Sequence, residues 1–498
     1  MVKMLFFSIL TLYPKQIIML LHKDTNKISE LKNDFTHRCL EPDFILGSLK
    51  CFSFSSLCKS LGAIKIKGYS FQAIFSILVS LPFLGQSSVH SLLKSPFKEY
   101  IEMKKDAFYR LKNKCSIDWR EILWLFVLKF VNATGSNGIK ANSPKCLVID
   151  DSVLAKTGRF IEKVSRLWDH VSHGYVLGYK FLALTYWDGT SCIPVDFSVH
   201  REKGKNESKP FGLKKKELKK QYNKKREPDS CGYKRAKEVD ISKIENAVQM
   251  IKRALKGLEV DYILMDSWFT CWAFVELVMK VKGPVHLIGM YKTATTKFDY
   301  DGQRLTYSQI RLKLGKSVRC RKLGFHYKEV IVEWKSKQVK LFFSRQGKNG
   351  KWKVLMTTDT NLSFIQMMKI YQIRWTIEVF FKEAKQLLGL GRCQSNDFDA
   401  QIADLTTTLI QHQILTLRFR FEHYESKGEL FAQAKEEIIQ LRLNERLWGL
   451  FLELVKIIET IFDGVDSDDI IFKILNDEKA AEYFSKIFGD VDIDKAAA

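Results

Sequence analysis

Helical spacing of apolar residues dominates the first part of the chain. Between residues 25 and 140, apolar side chains recur at intervals of three and four, and the clearest helices are predicted at 71–84, 96–114 and 119–131. The Gly- and Asn-containing stretch 132–138 then breaks the pattern. We interpret residues 25–140 as a helical N-terminal region that either binds DNA or only packs against the rest of the protein.

Short apolar runs replace this pattern from residue 141 onward. Asp188-Gly189 separates two strand-like segments and predicts a hairpin. Buried strands are predicted at 146–149, 260–265 and 285–291, and helices at 238–258 and 268–280. Strands that alternate with helices indicate an α/β fold, so residues 141–297 form the first part of a core.

The remaining segments differ from one another in pattern. Residues 298–360 alternate like strands and are interpreted as a β-rich insertion, while residues 361–415 return to helical spacing and complete the core. Residues 416–498 predict a helical C-terminal region, whose acidic end either serves oligomerisation, folds back on the basic surface or only keeps the protein in solution. Residues 1–24 are interpreted as lying outside the folded protein, either unfolded or preceding the true start.

Charge narrows the class of partner. Among 498 residues, Lys and Arg exceed Asp and Glu by 24, and an apolar share of 46% is enough for sizeable cores. Such an excess indicates a polyanionic partner, because cations near phosphates release condensed counterions. Residues 201–237 hold fifteen Lys or Arg against five Asp or Glu, with interspersed aromatic residues. This segment is either a nucleic-acid groove or a solvated loop.

One polar line runs along the apolar helix predicted from Ser363. Tyr371, Arg374, Glu378 and Lys385 fall within about 60° of one another on a helical projection. Such a narrow line suggests a functional site. The alternative is a solvated stripe in which Arg374 and Glu378 form an ordinary surface pair.

Three carboxylates are candidates for one shared site. Asp151 and Asp266 stand at the ends of short apolar runs, where an α/β sheet collects ligands, and Glu378 would lie across the same crevice. Carboxylates raise one another's pKa unless cations accompany them. Mg²⁺, which takes oxygen ligands and prefers phosphate, is the predicted cation.

The segment 371–385 resembles the Y-R-E-K signature of DDE transposases from bacterial insertion sequences, in particular the IS-four-like group. Its helix reads Y-x-x-R-W-x-I-E-x-x-F-K-x-x-K, and this chain matches every fixed position. Ile149-Asp150-Asp151-Ser152 resembles the first acidic motif of the family, and Leu264-Met265-Asp266-Ser267 resembles the second. The resemblance spans residues 145–415.

The resemblance implies a ribonuclease-H-like core flanked by helical N- and C-terminal regions. Asp151, Asp266 and Glu378 would bind two Mg²⁺ ions, with Mn²⁺ able to substitute, and would be catalytic. Tyr371, Arg374 and Lys385 would contact DNA phosphates. Asp151 is chosen over Asp150 because the ligand of the family precedes the Thr or Ser position.

The resemblance also implies a binding partner and a cellular location. The partner would be double-stranded DNA, both the transposon ends and the target, bound by a homodimer in the cytoplasm and associated with the nucleoid. No membrane role is expected. Trp268, close to the second acid, would either stack on an unpaired base or belong to the core, and the core role is preferred.

Two other functions stay open. One is a catalytically inactive, transposase-derived DNA-binding protein or repressor. The other is a metal-dependent nuclease without strand transfer.

Overall fold

The computed structural model describes residues 52, 64–95, 97–98, 101–135, 143–281, 285–292, 295–347, 349–421, 426–432 and 479. The chain divides into two units, residues 1–82 with 86–427, and residues 83–85 with 428–498. The predictions for residues 1–24, and for most of 416–498, lie outside the described residues. No helix within the described ranges is both long and apolar enough to cross a membrane.

Among the described residues, the first elements of the first unit are a small hairpin and four helices. A small hairpin of β1 (Lys65–Ile66) and β2 (Tyr69–Ser70) precedes the helices α1 (Phe71–Ser80), α2 (Val89–Leu92), α3 (Lys105–Lys112) and α4 (Trp119–Thr134). Ser70 caps α1 by accepting a hydrogen bond from the backbone of Ala73, and Asp118 caps α4. The helices predicted from apolar spacing in this region are therefore present, with shorter bounds for the first two.

Strands of the core come next. They are β3 (Cys146–Ala155), β4 (Ser165–Asp169), β5 (Gly174–Trp187) and β6 (Cys192–His200). The elements after them are α5 (Lys215–Lys219), α6 (Cys231–Glu238), α7 (Lys243–Ala254), β7 (Tyr262–Met265), α8 (Trp272–Met279) and β8 (His286–Tyr291). The predicted α/β alternation is confirmed, and the single helix predicted at 238–258 is wrong at its start, because the chain turns between α6 and α7.

Residues 297–357 contribute six more strands and a helix. These are β9 (Lys297–Tyr300), β10 (Gln303–Thr306), α9 (Tyr307–Lys313), β11 (Val318–Cys320), β12 (Phe325–Trp334), β13 (Lys337–Gln346) and β14 (Lys353–Thr357). They extend the core sheet, since β14 pairs antiparallel with β8. The strand-like alternation therefore predicts strands in this segment and not the helix α9, while the role of the segment as a family insertion stays a prediction.

Within the described residues, one mixed sheet of twelve strands contains both the core strands β3–β8 and the strands of residues 297–357. Its order is β10-β9-β12-β13-β14-β8-β7-β3-β5-β4, with β11 beside β12 and β6 beside β5. At its centre β3, β7 and β8 run parallel, and β3 is antiparallel to β5. The fully buried apolar residues of β3 and β7 explain why these strands appear as continuous apolar runs in the sequence.

The helix predicted from Ser363 is divided into two. Ser363 and Gln366 form a capping box at the start of α10 (Phe364–Gln372), and α11 (Trp375–Gln386) follows after a two-residue turn. The backbone N–H groups of Ile373 and Arg374 bond three residues back rather than four, which tightens the chain at this turn. The prediction of one continuous helix is wrong at this point.

The helix α12 (Phe398–Phe421) is the central support of the first unit. Its buried amides bond to neighbouring backbone: Gln411 donates to the carbonyls of Leu78 and Val79, and Gln413 donates to that of Pro194. Buried polar groups require such partners. The helix thus joins the N-terminal helices to the sheet through specific hydrogen bonds as well as apolar contacts.

A buried ion network fixes the basic segment 201–237 near the start of α12. The guanidinium of Arg226 donates two bonds of 2.7 Å to the carboxylate of Glu162, and its Nε lies 3.1 Å from Asp399. All three side chains are buried. The segment is therefore attached to the core through Arg226 and is not a free loop throughout.

Replacing Arg226 with Leu should destabilise the protein strongly, because it leaves the carboxylates of Glu162 and Asp399 buried with one cation fewer. We expect the free energy of unfolding in urea to fall by about 3–5 kcal/mol. The exposed neighbour Lys225, changed to Gln, is the control and should alter it by less than about 0.5 kcal/mol. A loss below about 1 kcal/mol for Arg226→Leu would show that the network does not hold the segment.

Candidate active site

Two neighbouring parallel strands bring a pair of acids together. Ile149 of β3 pairs with Met265 of β7, and Asp150 and Asp266 are the next residues along the two strands. Adjacent strands lie about 4.8 Å apart. Asp266 also begins the following turn, where it accepts hydrogen bonds from the backbone N–H groups of Trp268 and Phe269. The pairing of the strands thus places Asp150 beside Asp266.

Asp150 and Asp151 face opposite sides of the sheet. Asp150 pairs with Ala183 of β5, and Phe181, on the same face of β5, contacts Phe381 of α11 with ring centroids 6.2 Å apart. This face is therefore the one that α11 covers. Asp151 instead forms an ion pair of 2.8 Å with Lys243 of α7. The structure brings Asp150, and not Asp151, to the side of the sheet that carries α11.

Arg374 connects the strand acid to the helix acid. Its Nη2 atom lies 2.6 Å from Oε1 of Glu378, and its Nη1 atom lies 3.5 Å from Oδ2 of Asp150. Arg374 occupies the tightened turn between α10 and α11, which directs it back to the sheet. One guanidinium thus contacts two carboxylates that are distant in sequence.

The electrostatics of Asp150 reflect this crowding. Burial raises its pKa to about 7, and repulsion from Asp266 and Asp151 acts in the same direction, while Arg374 opposes the rise. A carboxyl with a pKa near neutrality loses its proton much less readily than an exposed one. The site therefore has more negative groups than its single buried guanidinium neutralises.

Tyr371 is part of the same buried cluster. It is 7% exposed, and its hydroxyl donates to the backbone carbonyl of Met265, at the end of β7, over 3.4 Å. Burial raises its pKa to about 12. Arg374 is also 7% exposed, so the alternative of a solvated helix stripe is wrong for both residues.

The predicted DNA contacts are engaged inside the protein. Arg374 is held by Glu378 and Asp150, and Lys385 donates to the hydroxyl of Ser152 and the carbonyl of Val153. Lys385 also lines an open cleft of ≈ 680 Å³ beside the end of β3. Contact of Tyr371, Arg374 and Lys385 with phosphates stays a prediction, and it requires Arg374 to exchange protein partners for phosphate.

Metal binding can be judged from the donor chemistry. Across the part of the chain that the structure describes, no group of three His, Cys, Asp or Glu side chains is arranged to hold a metal ion. The residue types nevertheless fit a hard divalent cation: Asp150, Asp266 and Glu378 offer only carboxylate oxygens, and the raised pKa of Asp150 reflects a shortage of positive charge.

Lys243 and Trp268 form an accessory pair that the sequence did not reveal. The Nζ atom of Lys243 lies 3.8 Å from the ring centroid of Trp268 and also pairs with Asp151. Trp268 is 50% exposed, so the preferred core role for this residue is wrong. Lys243 lies in a different element from both partners, and no local pattern links them.

The raised pKa of Asp150 predicts a specific pH dependence of stability. Because the folded protein holds this proton up to about pH 7 and the unfolded chain releases it near pH 4, the free energy of unfolding should fall as pH rises between these values. Asp150→Asn should remove this fall and stabilise the protein above pH 7 by about 2–4 kcal/mol. The measurement is the free energy of unfolding in urea, for the wild type and Asp150→Asn, at pH values from 4.5 to 8.

The exposed Asp301, changed to Asn, is the control for this measurement and should leave the pH dependence as in the wild type. If Asp150→Asn also leaves it unchanged, Asp150 is not crowded by the neighbouring carboxylates.

Two family models match the chain and overlap in its middle. One, described as a Transposase DDE domain, matches residues 236–412, and the other, described as a DDE superfamily endonuclease, matches residues 81–297. Asp150 lies in the second match, Glu378 in the first and Asp266 in both. No curated protein sequence matches the chain. The large mixed sheet is consistent with this superfamily, and the two matches support a DDE transposase of transposase-type nuclease function.

Proposed function

We propose that this chain is a DNA transposase that binds the terminal inverted repeats of its element, cleaves the ends and joins them to target DNA by Mg²⁺-dependent phosphoryl transfer. The observation that supports the proposal is the arrangement of Asp150, Asp266 and Glu378: Asp150 and Asp266 follow paired residues of neighbouring strands, although the three acids come from elements far apart in sequence. Arg374 contacts two of the three directly. Membership of the IS-four-like group with the Y-R-E-K signature is part of the proposal.

The proposed metal ligands are Asp150, Asp266 and Glu378. Asp150 replaces Asp151 as the first ligand because it shares a face with α11, whereas Asp151 is paired with Lys243. When bound, a pair of Mg²⁺ ions, or Mn²⁺ in their place, activates the attacking oxygen and stabilises the leaving oxygen of an in-line displacement.

The other residues of the site position these acids. Arg374 holds Glu378 and neutralises part of the negative charge around Asp150, and Tyr371 joins α10 to the end of β7 through the carbonyl of Met265. In the complex with DNA, the guanidinium of Arg374 can bind a phosphate through two parallel N–H groups, and the ammonium of Lys385 supplies a compact positive charge. We propose these two, with Tyr371, as phosphate contacts near the transposon end.

The proposed partner is double-stranded DNA, at both the transposon ends and the target site. The net charge of +24 supports a polyanionic partner. Two ends have to be brought together before joining, so we propose a homodimer that acts in the cytoplasm, on the nucleoid.

Cleavage should depend on Asp150 and not on Asp151. With the gene and its flanking DNA on a plasmid as substrate and MgCl₂ in the buffer, Asp150→Asn should lower the cleavage rate at least about 10²-fold, because it removes a proposed metal ligand. Asp151→Asn is the matched control and should stay within about tenfold of the wild type, since its partner is Lys243. DNA binding should be retained by both variants.

The reverse ranking of the two variants would assign the first ligand to Asp151. If neither substitution, nor Asp266→Asn, affects cleavage, the chain does not act as a metal-dependent nuclease and the inactive DNA-binding alternative holds.

The joining of cut DNA ends to a target distinguishes a transposase from a nuclease. Pre-cut ends with free 3′-hydroxyls, supplied with a plasmid target, should yield covalently joined products on a gel, and chelation of Mg²⁺ by EDTA should abolish them. Absence of joined product from a preparation that cleaves DNA would identify a nuclease without strand transfer. The DNA around the gene should also carry imperfect inverted repeats bounded by short direct duplications.

A further inference from the structure

Aromatic and apolar side chains are exposed at one edge of the sheet. The strands β4 and β5 form a hairpin in which Trp168 pairs with Tyr175, and their rings lie edge to face with centroids 5.1 Å apart. Tyr175 is 67% exposed, and Val171, in the turn, is 69% exposed. Arg166 is exposed two residues before Trp168, on the same face of β4. Large apolar side chains grouped in this way usually mark a contact surface.

A run of exposed lysines lies beside this hairpin. Residues 201–220 contain nine Lys or Arg against three Glu, and every lysine among them is exposed. Gly212 lies so close to Arg166 that an added Cβ atom would be 2.7 Å from the Cβ atom of Arg166. Phe211, stacked under the guanidinium of Arg201 at 3.9 Å, anchors this part of the segment. We name Arg166, Trp168, Tyr175 and the lysines of 203–220 the hairpin surface.

The hairpin surface begins on the face of the sheet that carries the candidate active site. Asp150 pairs with Ala183 of β5, and Tyr175 precedes Ala183 by eight residues, an even number that keeps both on one face of the strand. At about 3.3 Å per residue, the two positions are roughly 26 Å apart along β5. Successive base pairs of B-DNA are about 3.4 Å apart, so this length corresponds to roughly eight base pairs.

We propose that the hairpin surface binds duplex DNA about eight base pairs from the reacting phosphate. The inference rests on the proposed function and adds to it a second contact region. Lysines with no ion pair among the described residues attract phosphates by counterion release, whereas protein–protein interfaces are depleted of lysine. The rigid aromatic pair of Trp168 and Tyr175 offers apolar contact at low entropic cost.

The test measures binding in EDTA, without any cleavage. A labelled duplex of arbitrary sequence, about 40 base pairs or four helical turns long, is titrated with protein between about 50 and 200 mM KCl. The variant Lys203→Gln, Lys205→Gln, Lys209→Gln is compared with the wild type. Each lost phosphate contact should reduce the slope of log K against log salt by about 0.9, and three should reduce it by up to about 2.7.

The control removes the same charge from the opposite end of the sheet, by changing the exposed residues Lys316, Arg321 and Lys322 to Gln. It should leave the slope unchanged. An unchanged slope for the lysine variant, or equal reductions for both variants, overturns the inference. Because no DNA is cut, failure here is separate from failure of the proposed function, which the comparison of Asp150→Asn with Asp151→Asn detects.

A second variant examines the aromatic part of the surface. Tyr175→Ala should weaken binding about two- to tenfold with the salt slope unchanged, since it removes contact area and no charge. Leu312→Ala, on a 72% exposed residue of α9, is the control and should have no effect. Equal effects of the two substitutions would overturn the part of the inference that concerns Tyr175.

Discussion

The contact of one buried guanidinium with two carboxylates is the constraint on which the candidate site depends. Arg374 neutralises negative charge that β3 and α11 bring into a region with little solvent, and Asp266 stands close enough to raise the pKa of Asp150. Buried like charges repel strongly unless cations accompany them. The protein therefore retains a site that still favours additional positive charge, which is the property that a divalent ion requires.

The geometry of this site follows from the order of the strands. Parallel pairing of β3 with β7 places Asp150 and Asp266 side by side at the carboxyl ends of these two strands. The tightened turn between α10 and α11 directs Arg374 toward them. Because α12 bonds to both the N-terminal helices and β6, it connects those helices to the end of the sheet that lies opposite the strands of residues 297–357. Precise placement of charged groups needs this kind of support.

Sequence patterns predicted the elements better than the orientations of their side chains. Ser363 with Gln366 marks the start of α10 locally, and the apolar runs before Asp150 and Asp266 mark two strands. The face that each acid occupies was not predictable, because β3 is buried on both faces and gives no alternation. The exposure of Trp268 is not predictable from local sequence, because its partner, Lys243, lies in another element and is determined only by the tertiary fold.

Adjacent acids on one strand also affect how the strand tolerates a change of register. A one-residue slip of β3 against β7 that moves Asp151 into the position of Asp150 would turn Asp151 toward α11 and Asp150 away from it, since successive side chains alternate between faces. A carboxylate would remain beside Asp266 in either register, whereas Lys243 would lose the acid with which it now pairs. The duplicated aspartate thus preserves the acidic character at this end of β3 after a one-residue deletion earlier in the strand, whereas a one-residue insertion would bring Ile149 to this position.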